Sequence, residues 1–230
     1  MEHLEGISKV PRFFMPSNEN TKQIKSRQRV ADHGEVFTNP REVNAMLDLV
    51  CDESYRLDSR FLEPACGDGN FLIEILSRKL SLLKDIKSQT EKEFKSLIAV
   101  GSCYGIDILP DNAEACRERL FAEVMDQMGK KNYSDGYEES LRYMLKMNIV
   151  CGDALTYRTA EDKPITFSEW TPIAGSMQFS RRDFQFDFLV TQSHQYSLFD
   201  EQGEAQSFDE PVQTYPPLHY TQLYRYEEQL

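Results

Sequence analysis

Long apolar runs are absent from this sequence, and their absence limits the classes of protein that it can encode. No window approaches the roughly 20 continuous apolar residues of a membrane-spanning helix. The first residues, MEHLEGISKVPRFF, lack the apolar core of a secretory signal. We therefore expect no membrane partner and a cytoplasmic location. With 230 residues, 40% of them hydrophobic and 28% charged, the chain can form one domain of ordinary size.

Cysteine and positive charge are also scarce. The five cysteines are widely spaced and include no C-x-x-C pair, which disfavours both a disulfide framework and a metal site. The formal net charge is −12, whereas binding of DNA phosphates requires clustered Lys and Arg. Any contact with DNA must therefore be local, or assisted by another domain or subunit.

The chain divides by composition into three regions. Residues 1–30 are polar and aperiodic, and Pro11 and Pro16 interrupt them, which predicts an N-terminal arm. Residues 31–200 alternate between helix and strand patterns and are predicted to form the one domain. Residues 201–230 are polar and aromatic and contain no clear helix or strand pattern. We expect them to form a tail, with a turn at Pro216-Pro217, and no separate further domain.

The middle region predicts an α/β fold. Thr38-Asn39-Pro40 indicates a helix start, and helical apolar spacing follows both the first and the second strand pattern. Phe167 and Trp170, in a long insertion between the third and fourth strands, could contact a base, but we expect them to anchor that insertion to the core. The alternation predicts a mostly parallel sheet with helices on both faces, and ligands bound at the carboxyl ends of its strands. The predicted strands are 60–63, 104–108, 148–151 and 186–190.

A glycine turn links the first predicted strand to a helix. The stretch from Glu63 to Phe71 reads E-P-A-C-G-D-G-N-F. Its two glycines let the backbone approach a ligand closely, and the amides at the helix start favour a negative group. A dinucleotide-binding turn would have a third small residue where Leu72 stands, so a nicotinamide cofactor is disfavoured.

This stretch resembles D-P-A-C-G-S-G-N-F, the cofactor loop of the gamma-type N6-adenine DNA methyltransferases of restriction-modification systems. Only Glu63 and Asp68 differ. The segment from Gly34 to Pro40 is similar to the family's G-x-[FY]-[FY]-T-P-P, and the order of the motifs also matches. The resemblance covers roughly residues 34–190. It implies a Rossmann-like class I methyltransferase fold, S-adenosylmethionine as the cofactor and DNA as the partner.

The resemblance also implies which residues bind the cofactor. The glycine loop would wrap the methionine part, and Asp107, at the end of the second strand, would accept both ribose hydroxyls. Asp153 would accept from the adenine amino group, with Ala154 against the ring. The implied cofactor-binding residues are Phe37, Thr38, Glu63, Ala65, Gly67, Gly69, Asn70, Phe71, Asp107, Ile108, Asp153 and Ala154.

The family's fourth motif, [DNS]-P-P-[YFW], is altered here. The predicted fourth strand is followed by T-Q-S-H-Q-Y, so Gln192 stands where the family has its amine acceptor, and Tyr196 is the nearest stacking ring. These two residues are the catalytic candidates. Loss of both prolines frees the turn that sets the geometry, and an error of about an ångström can cost on the order of a hundredfold in rate. We expect weak or absent methyl transfer.

Three functions are compatible with these patterns. The first is a DNA adenine-N6 methyltransferase that needs another domain or subunit, because family members usually have a target-recognition domain after the core. The second is a catalytically inactive S-adenosylmethionine-binding module with a regulatory or subunit role and a protein partner. The third is a methyltransferase acting on a small molecule or a protein.

Overall fold

Two three-stranded sheets organise the computed structural model, which describes residues 28, 29, 31, 38–129, 132–193 and 211–229. The chain divides into two compact units, 1–39 and 40–230, and the elements named here lie in the second. None of the described helices combines the length and apolar character needed to cross a membrane. The helices are α1 (Pro40–Asp48), α2 (Cys51–Ser54), α3 (Asn70–Ser81), α4 (Gln89–Gly101), α5 (Pro110–Met128), α6 (Tyr137–Asn148), α7 (Phe186–Ser193) and a 3₁₀ helix (Tyr220–Gln229). The strands are β1 (Phe61–Glu63), β2 (Cys103–Asp107), β3 (Ile149–Cys151), β4 (Thr166–Pro172), β5 (Gln178–Gln185) and β6 (Gln213–His219).

The first sheet is parallel, and β2 lies between β1 and β3. Leu62 of β1 is opposite Tyr104, and Ile106 is opposite Val150 of β3. The first three predicted strands are therefore confirmed, together with the predicted helix start at Pro40. This sheet fixes the carboxyl ends of three strands along one edge.

The main hydrophobic core joins the helices to one face of the parallel sheet. Its helical members include Leu72, Leu97, Leu120 and Leu141, from α3, α4, α5 and α6, and each is fully buried. Burying such a side chain stabilises the fold by about 1.5–3 kcal/mol. The packing of Leu72 holds the start of α3, and with it the glycine turn, against the sheet.

The opposite face of β2 meets a second, antiparallel sheet in which β5 lies between β4 and β6. Tyr104 and Ile106 form a separate hydrophobic cluster with Ile165, Phe167 and Phe186. The Tyr104 hydroxyl also donates to the Ser168 carbonyl at 3.2 Å. Helices on both faces were expected from the alternating pattern, and this face differs because residues of the inserted strands cover it.

The inserted strands are anchored by their aromatic residues, as expected. Phe167 is 4% exposed and Trp170 is 7% exposed. The Trp170 indole N–H donates to the Asn148 side chain at 3.0 Å, which connects β4 to the end of α6. Both rings therefore serve packing in this chain.

The predicted fourth strand, 186–190, is wrong, because these residues begin α7. A short apolar run does not distinguish a strand from a buried helical segment. Here the Phe186 amide donates to the Ile165 carbonyl at 2.8 Å, and the Asp187 carboxylate accepts from the Phe188 amide at 2.7 Å. Among the described residues, no strand pairs with the outer edge of β1.

Residues 211–229 also differ from the predicted polar and aromatic tail, in which no helix or strand was expected. Residues 213–219 pair with β5 as β6, and the predicted turn at Pro216-Pro217 lies inside this edge strand, where a missing N–H is tolerated. Tyr215, Tyr220 and Tyr226 are buried. Residues 211–229 therefore belong to the same compact unit as the sheets. The predicted arm up to residue 27 and the segment 201–210 lie outside the described residues.

Candidate functional site

Three acidic residues lie where the parallel strands end. Glu63 and Asp107 are the last residues of β1 and β2, and Asp153 follows β3 by two residues. The Cys66 amide donates to the Ile106 carbonyl at 2.8 Å, and the Gly152 amide donates to the Asp107 carbonyl at 2.9 Å. The segments after β1 and β3 are thus both attached to the end of β2. The structure brings the predicted loop and the predicted acids to one edge of the sheet.

The glycine turn requires its glycines. Gly67 and Gly69 have φ angles of 56° and 94°, in the left-handed region that side chains disfavour. A Cβ on Gly69 would lie 2.7 Å from the Cys116 sulfur. A hydrogen bond with Cys116, together with burial, raises the pKa of the Cys66 thiol, so Cys66 serves as a neutral packing group under the turn. The first amides of α3 follow directly at Asn70.

Asp107 connects the turn to the following helix. Its Oδ2 accepts from the Gly67 amide at 2.9 Å, and its Oδ1 accepts from the Leu109 amide at 2.9 Å and from Asn112 at 3.2 Å. A carboxylate offers roughly four acceptor positions. The Asp107 side chain therefore has capacity for about one further bond, whereas the sequence predicted bonds to both ribose hydroxyls.

A cavity of about 380 Å³ lies beside the ends of β2 and β3. Ile108 lines this cavity and is 57% exposed, as contact of its side chain with an adenine ring would require. Asp153 also lines the cavity and is held by its Oδ1, which accepts from the Leu155 amide at 2.8 Å. Ala154 packs against the second hydrophobic cluster. A second cavity, of about 230 Å³, lies between β1 and the antiparallel sheet and contains none of the predicted site residues.

A family model described as the MmeI DNA-methyltransferase domain matches residues 24–180. The chain belongs to this family. Comparisons with curated proteins and with solved structures found no match. The matched region contains the glycine turn, the parallel sheet and the cavity. An MmeI-type domain is a restriction-modification methyltransferase domain, which agrees with the resemblance of the glycine loop.

Three further predicted cofactor residues, Glu63, Ala65 and Phe71, lie in the glycine turn of this MmeI-type domain. Burial raises the pKa of the Glu63 carboxyl, and a hydrogen bond from the Ala65 amide opposes that effect. Ala65 is exposed, whereas Phe71 is half-buried against the main core. Thr38 is half-buried, and Phe37 lies outside the described residues.

The catalytic candidate Gln192 is not placed at a strand end. Gln192 lies in the last turn of α7, where the sequence predicted a segment following a fourth strand. Tyr196 lies outside the described residues. The match to the MmeI family ends at residue 180 and does not include either residue. The structure therefore brings together the predicted cofactor residues after the three strands and leaves Gln192 on a helix.

Sequence reasoning missed two residues of α5 that support this site. Asn112 donates to Asp107, and Arg119 bonds the glycine turn at Asp68 and Asn70. Arg119 lies about fifty positions after the turn, so no local pattern connects them. The one available signal was Asp68 itself, because a charged residue inside such a turn requires a partner.

Proposed function

We propose that this chain binds S-adenosylmethionine at the carboxyl edge of the parallel sheet. It would be the cofactor-binding part of a DNA adenine-N6 methyltransferase of the gamma type. The observation that carries this proposal is the joining of the glycine turn and the end of β3 through Asp107, beside an open cavity. Membership of the MmeI family supports DNA as the substrate class.

The residues present fit this cofactor. S-adenosylmethionine carries positive charge on its sulfonium and amino groups, and the edge presents Glu63, Asp107 and Asp153. The cavity volume lies within the range of about 300–1,000 Å³ that is common for small-molecule sites. The three acids favour a cationic ligand, and the cavity is large enough for a nucleoside.

In this proposal, different residues at the carboxyl edge of the parallel sheet bind different parts of the cofactor. Ile108 and Asp153 would hold the adenine, and Asp107 would accept one ribose hydroxyl. The turn from Glu63 to Phe71 would surround the methionine part. Bound S-adenosylmethionine supplies an electrophilic methyl group. A neighbouring domain or subunit would bind the DNA, because this chain has a net charge of −12 and would repel the DNA phosphates.

One observation favours a second candidate, a catalytically inactive cofactor-binding module with a regulatory or subunit role. Gln192 is helical, and both prolines of the family's fourth motif are replaced in this chain. Without a rigid acceptor pair at a strand end, the target amine is not positioned for attack. Such a module would bind the cofactor and interact with a protein partner.

A paired experiment tests both candidates. S-adenosylmethionine and S-adenosylhomocysteine are titrated into the protein by calorimetry, and transfer of a labelled methyl group to mixed-sequence duplex DNA is measured in parallel. We expect one binding site per chain. Transfer to DNA would support the methyltransferase, and binding without transfer would support the inactive module. Absence of binding would reject the cofactor site and both candidates with it.

A further inference from the structure

The second cavity, which we call the β1 cavity, lies on the face of the parallel sheet that meets the antiparallel sheet. Leu62 of β1 is opposite Tyr104 of β2, so both side chains project from this face. The antiparallel sheet covers β2 closely, because Tyr104 is 8% exposed and its ring centre lies 5.4 Å from that of Phe167. Beside β1 the cover is incomplete, and Leu62 is 44% exposed. The β1 cavity, of about 230 Å³, occupies this gap.

The antiparallel sheet supplies an aromatic part and a charged part of the cavity wall. Phe167 and Glu169 are two positions apart on β4, and Arg182 and Phe184 are two positions apart on β5, so each pair projects to one face. The strand register places Phe167 opposite Phe184 and Glu169 opposite Arg182. All four residues line the β1 cavity, as does Tyr104. An apolar ring surface and an ion pair therefore lie side by side.

Two arginines share one carboxylate at this cavity. Glu169 is 9% exposed, and its Oε2 accepts from the Arg182 Nε at 2.8 Å. Its Oε1 accepts from Arg60, which lines the cavity from the β1 side. A guanidinium has more N–H donors than these contacts use within the described part of the chain. The Arg60 side chain is 65% exposed, so the group has a net positive charge and donors that a ligand from solution can reach.

The size and the wall of the cavity limit which ligands fit. An apolar cavity of about 150 Å³ is large enough for benzene, so the β1 cavity has room for one aromatic ring with a short polar substituent. Rings of Tyr104, Phe167 and Phe184 favour an aromatic ligand, because ring pairs attract in edge-to-face and offset arrangements. The arginines favour a carboxylate, which a guanidinium can bind with two parallel hydrogen bonds.

We propose that the β1 cavity binds a small aromatic carboxylate. Its ring packs between Leu62 and the pair Phe167 and Phe184, and its carboxylate accepts from Arg60. The bound ring covers the exposed Leu62 side chain, and the anion balances the net positive charge beside Glu169. This site is separate from the proposed function, because the β1 cavity and the cavity beside the ends of β2 and β3 have no lining residue in common.

Three ligands with the same ring test the charge preference. Phenylacetate is an anion, 2-phenylethanol is neutral and 2-phenylethylamine is a cation. Each is titrated into the protein, and amide shifts in ¹H–¹⁵N spectra give both the affinity and the location. We expect phenylacetate to bind about tenfold or more tightly than 2-phenylethanol, because it adds hydrogen bonds to a charged group. The amine should bind most weakly, and the shifts should centre on Leu62 and Phe184.

Two substitutions test the assigned contacts. Arg60→Gln should weaken phenylacetate binding by about tenfold or more and change 2-phenylethanol binding by less than about twofold. The matched control is Arg56→Gln, which alters an exposed arginine that pairs with Glu53 and Asp58 and does not line the cavity. It should leave both affinities unchanged. Leu62→Trp places a larger ring in the gap and should prevent binding of both ligands.

Each result decides for or against the proposal. Selective loss of phenylacetate binding in Arg60→Gln, together with loss of both ligands in Leu62→Trp, would establish the site. Equal weakening of phenylacetate and 2-phenylethanol by Arg60→Gln would overturn the carboxylate contact. No binding of phenylacetate at millimolar concentration, shifts remote from Leu62 and Phe184, or unchanged binding in Leu62→Trp would overturn the site itself.

Discussion

At the scale of single residues, Asp107 joins three segments of the candidate site. Its carboxylate accepts from the Gly67 amide, the Leu109 amide and the Asn112 side chain. The residue is 8% exposed, so these bonds form away from most of the solvent. Asp107 therefore supports the shape of the turn, and in the proposed function it would also accept one ribose hydroxyl.

Asp107→Asn tests both roles. The amide nitrogen cannot accept from a neighbouring N–H, so at least one of the present bonds is lost. We expect S-adenosylhomocysteine affinity to fall by about tenfold or more, since bonds to charged groups contribute roughly 1.5–3 kcal/mol. Calorimetric titration measures the change. Glu114→Gln is the control, because that exposed acid pairs with Arg117 on the same helix. An Asp107→Asn affinity within a factor of about two of the parent would reject the ribose assignment.

At the scale of elements, the final 3₁₀ helix is fastened to the helical layer through a buried acid. The Tyr220 hydroxyl donates to the Glu93 carboxylate at 2.8 Å, and the Leu223 amide donates to the Ser140 hydroxyl at 3.0 Å. Glu93 lies on α4 and is fully buried. Burial is the main cause that raises the pKa of Tyr220 to about 12.

Tyr220→Phe should destabilise the fold by about 1–3 kcal/mol, because the buried Glu93 carboxylate loses a donor. The raised pKa also gives a pH dependence. Tyr220 binds its proton more tightly in the folded state, so its contribution is complete below pH 10 and is lost as the pH rises towards about 12. Urea unfolding of the unaltered protein and of Tyr220→Phe between pH 8 and pH 11 measures the difference in their free energies of unfolding. This difference should shrink at the alkaline end.

The half-buried Tyr224 on the same 3₁₀ helix provides the control for this substitution. Tyr224→Phe should change the free energy of unfolding by less than about 0.5 kcal/mol. Equal effects of the two substitutions would contradict the role assigned to the Glu93 contact.

The helical conformation of α7 limits whether methyl transfer can be restored by substitutions in the altered fourth motif. The combined change Gln192→Asn, Ser193→Pro, His194→Pro and Gln195→Tyr rebuilds the family's tetrapeptide in sequence. We expect no gain of methyl transfer to DNA, because Gln192 lies in a helix and does not follow a strand of the parallel sheet. A labelled-methyl assay with the unaltered protein as reference measures this. Transfer that appears only in the altered protein would show that the four residues are the sole defect.

At the scale of the whole molecule, net charge governs the approach to DNA. With a formal charge of −12, the chain should bind duplex DNA no better than typical non-specific proteins, with a Kd weaker than about 1 μM at physiological salt. Fluorescence anisotropy with unrelated duplexes measures this affinity, and repetition at low salt controls for weak electrostatic binding. Nanomolar affinity for one duplex would contradict the need for another domain or subunit.

The parts of the molecule that sequence predicted are those with local signals. Pro40 and Pro110 mark helix starts, the glycines mark the turn, and the acids at strand ends indicate the candidate site, which stays a prediction. The parts that it did not predict depend on distant contacts. The segment from Phe186 becomes helical where β5 ends, and β6 forms only because β5 pairs with it. Arg119 reaches the turn through the packing of α5, which no local pattern reveals.

In the proposed function, the turn from Glu63 to Phe71 and the ends of β2 and β3 hold one nucleoside cofactor. Amide resonances in ¹H–¹⁵N spectra, followed during titration with S-adenosylhomocysteine, test this most directly. We expect the largest shifts at Gly67, Gly69, Ile108 and Asp153, saturating at one ligand per chain. Shifts confined to the cavity beside Leu62 and Tyr104, or no shifts at saturating ligand, would contradict it.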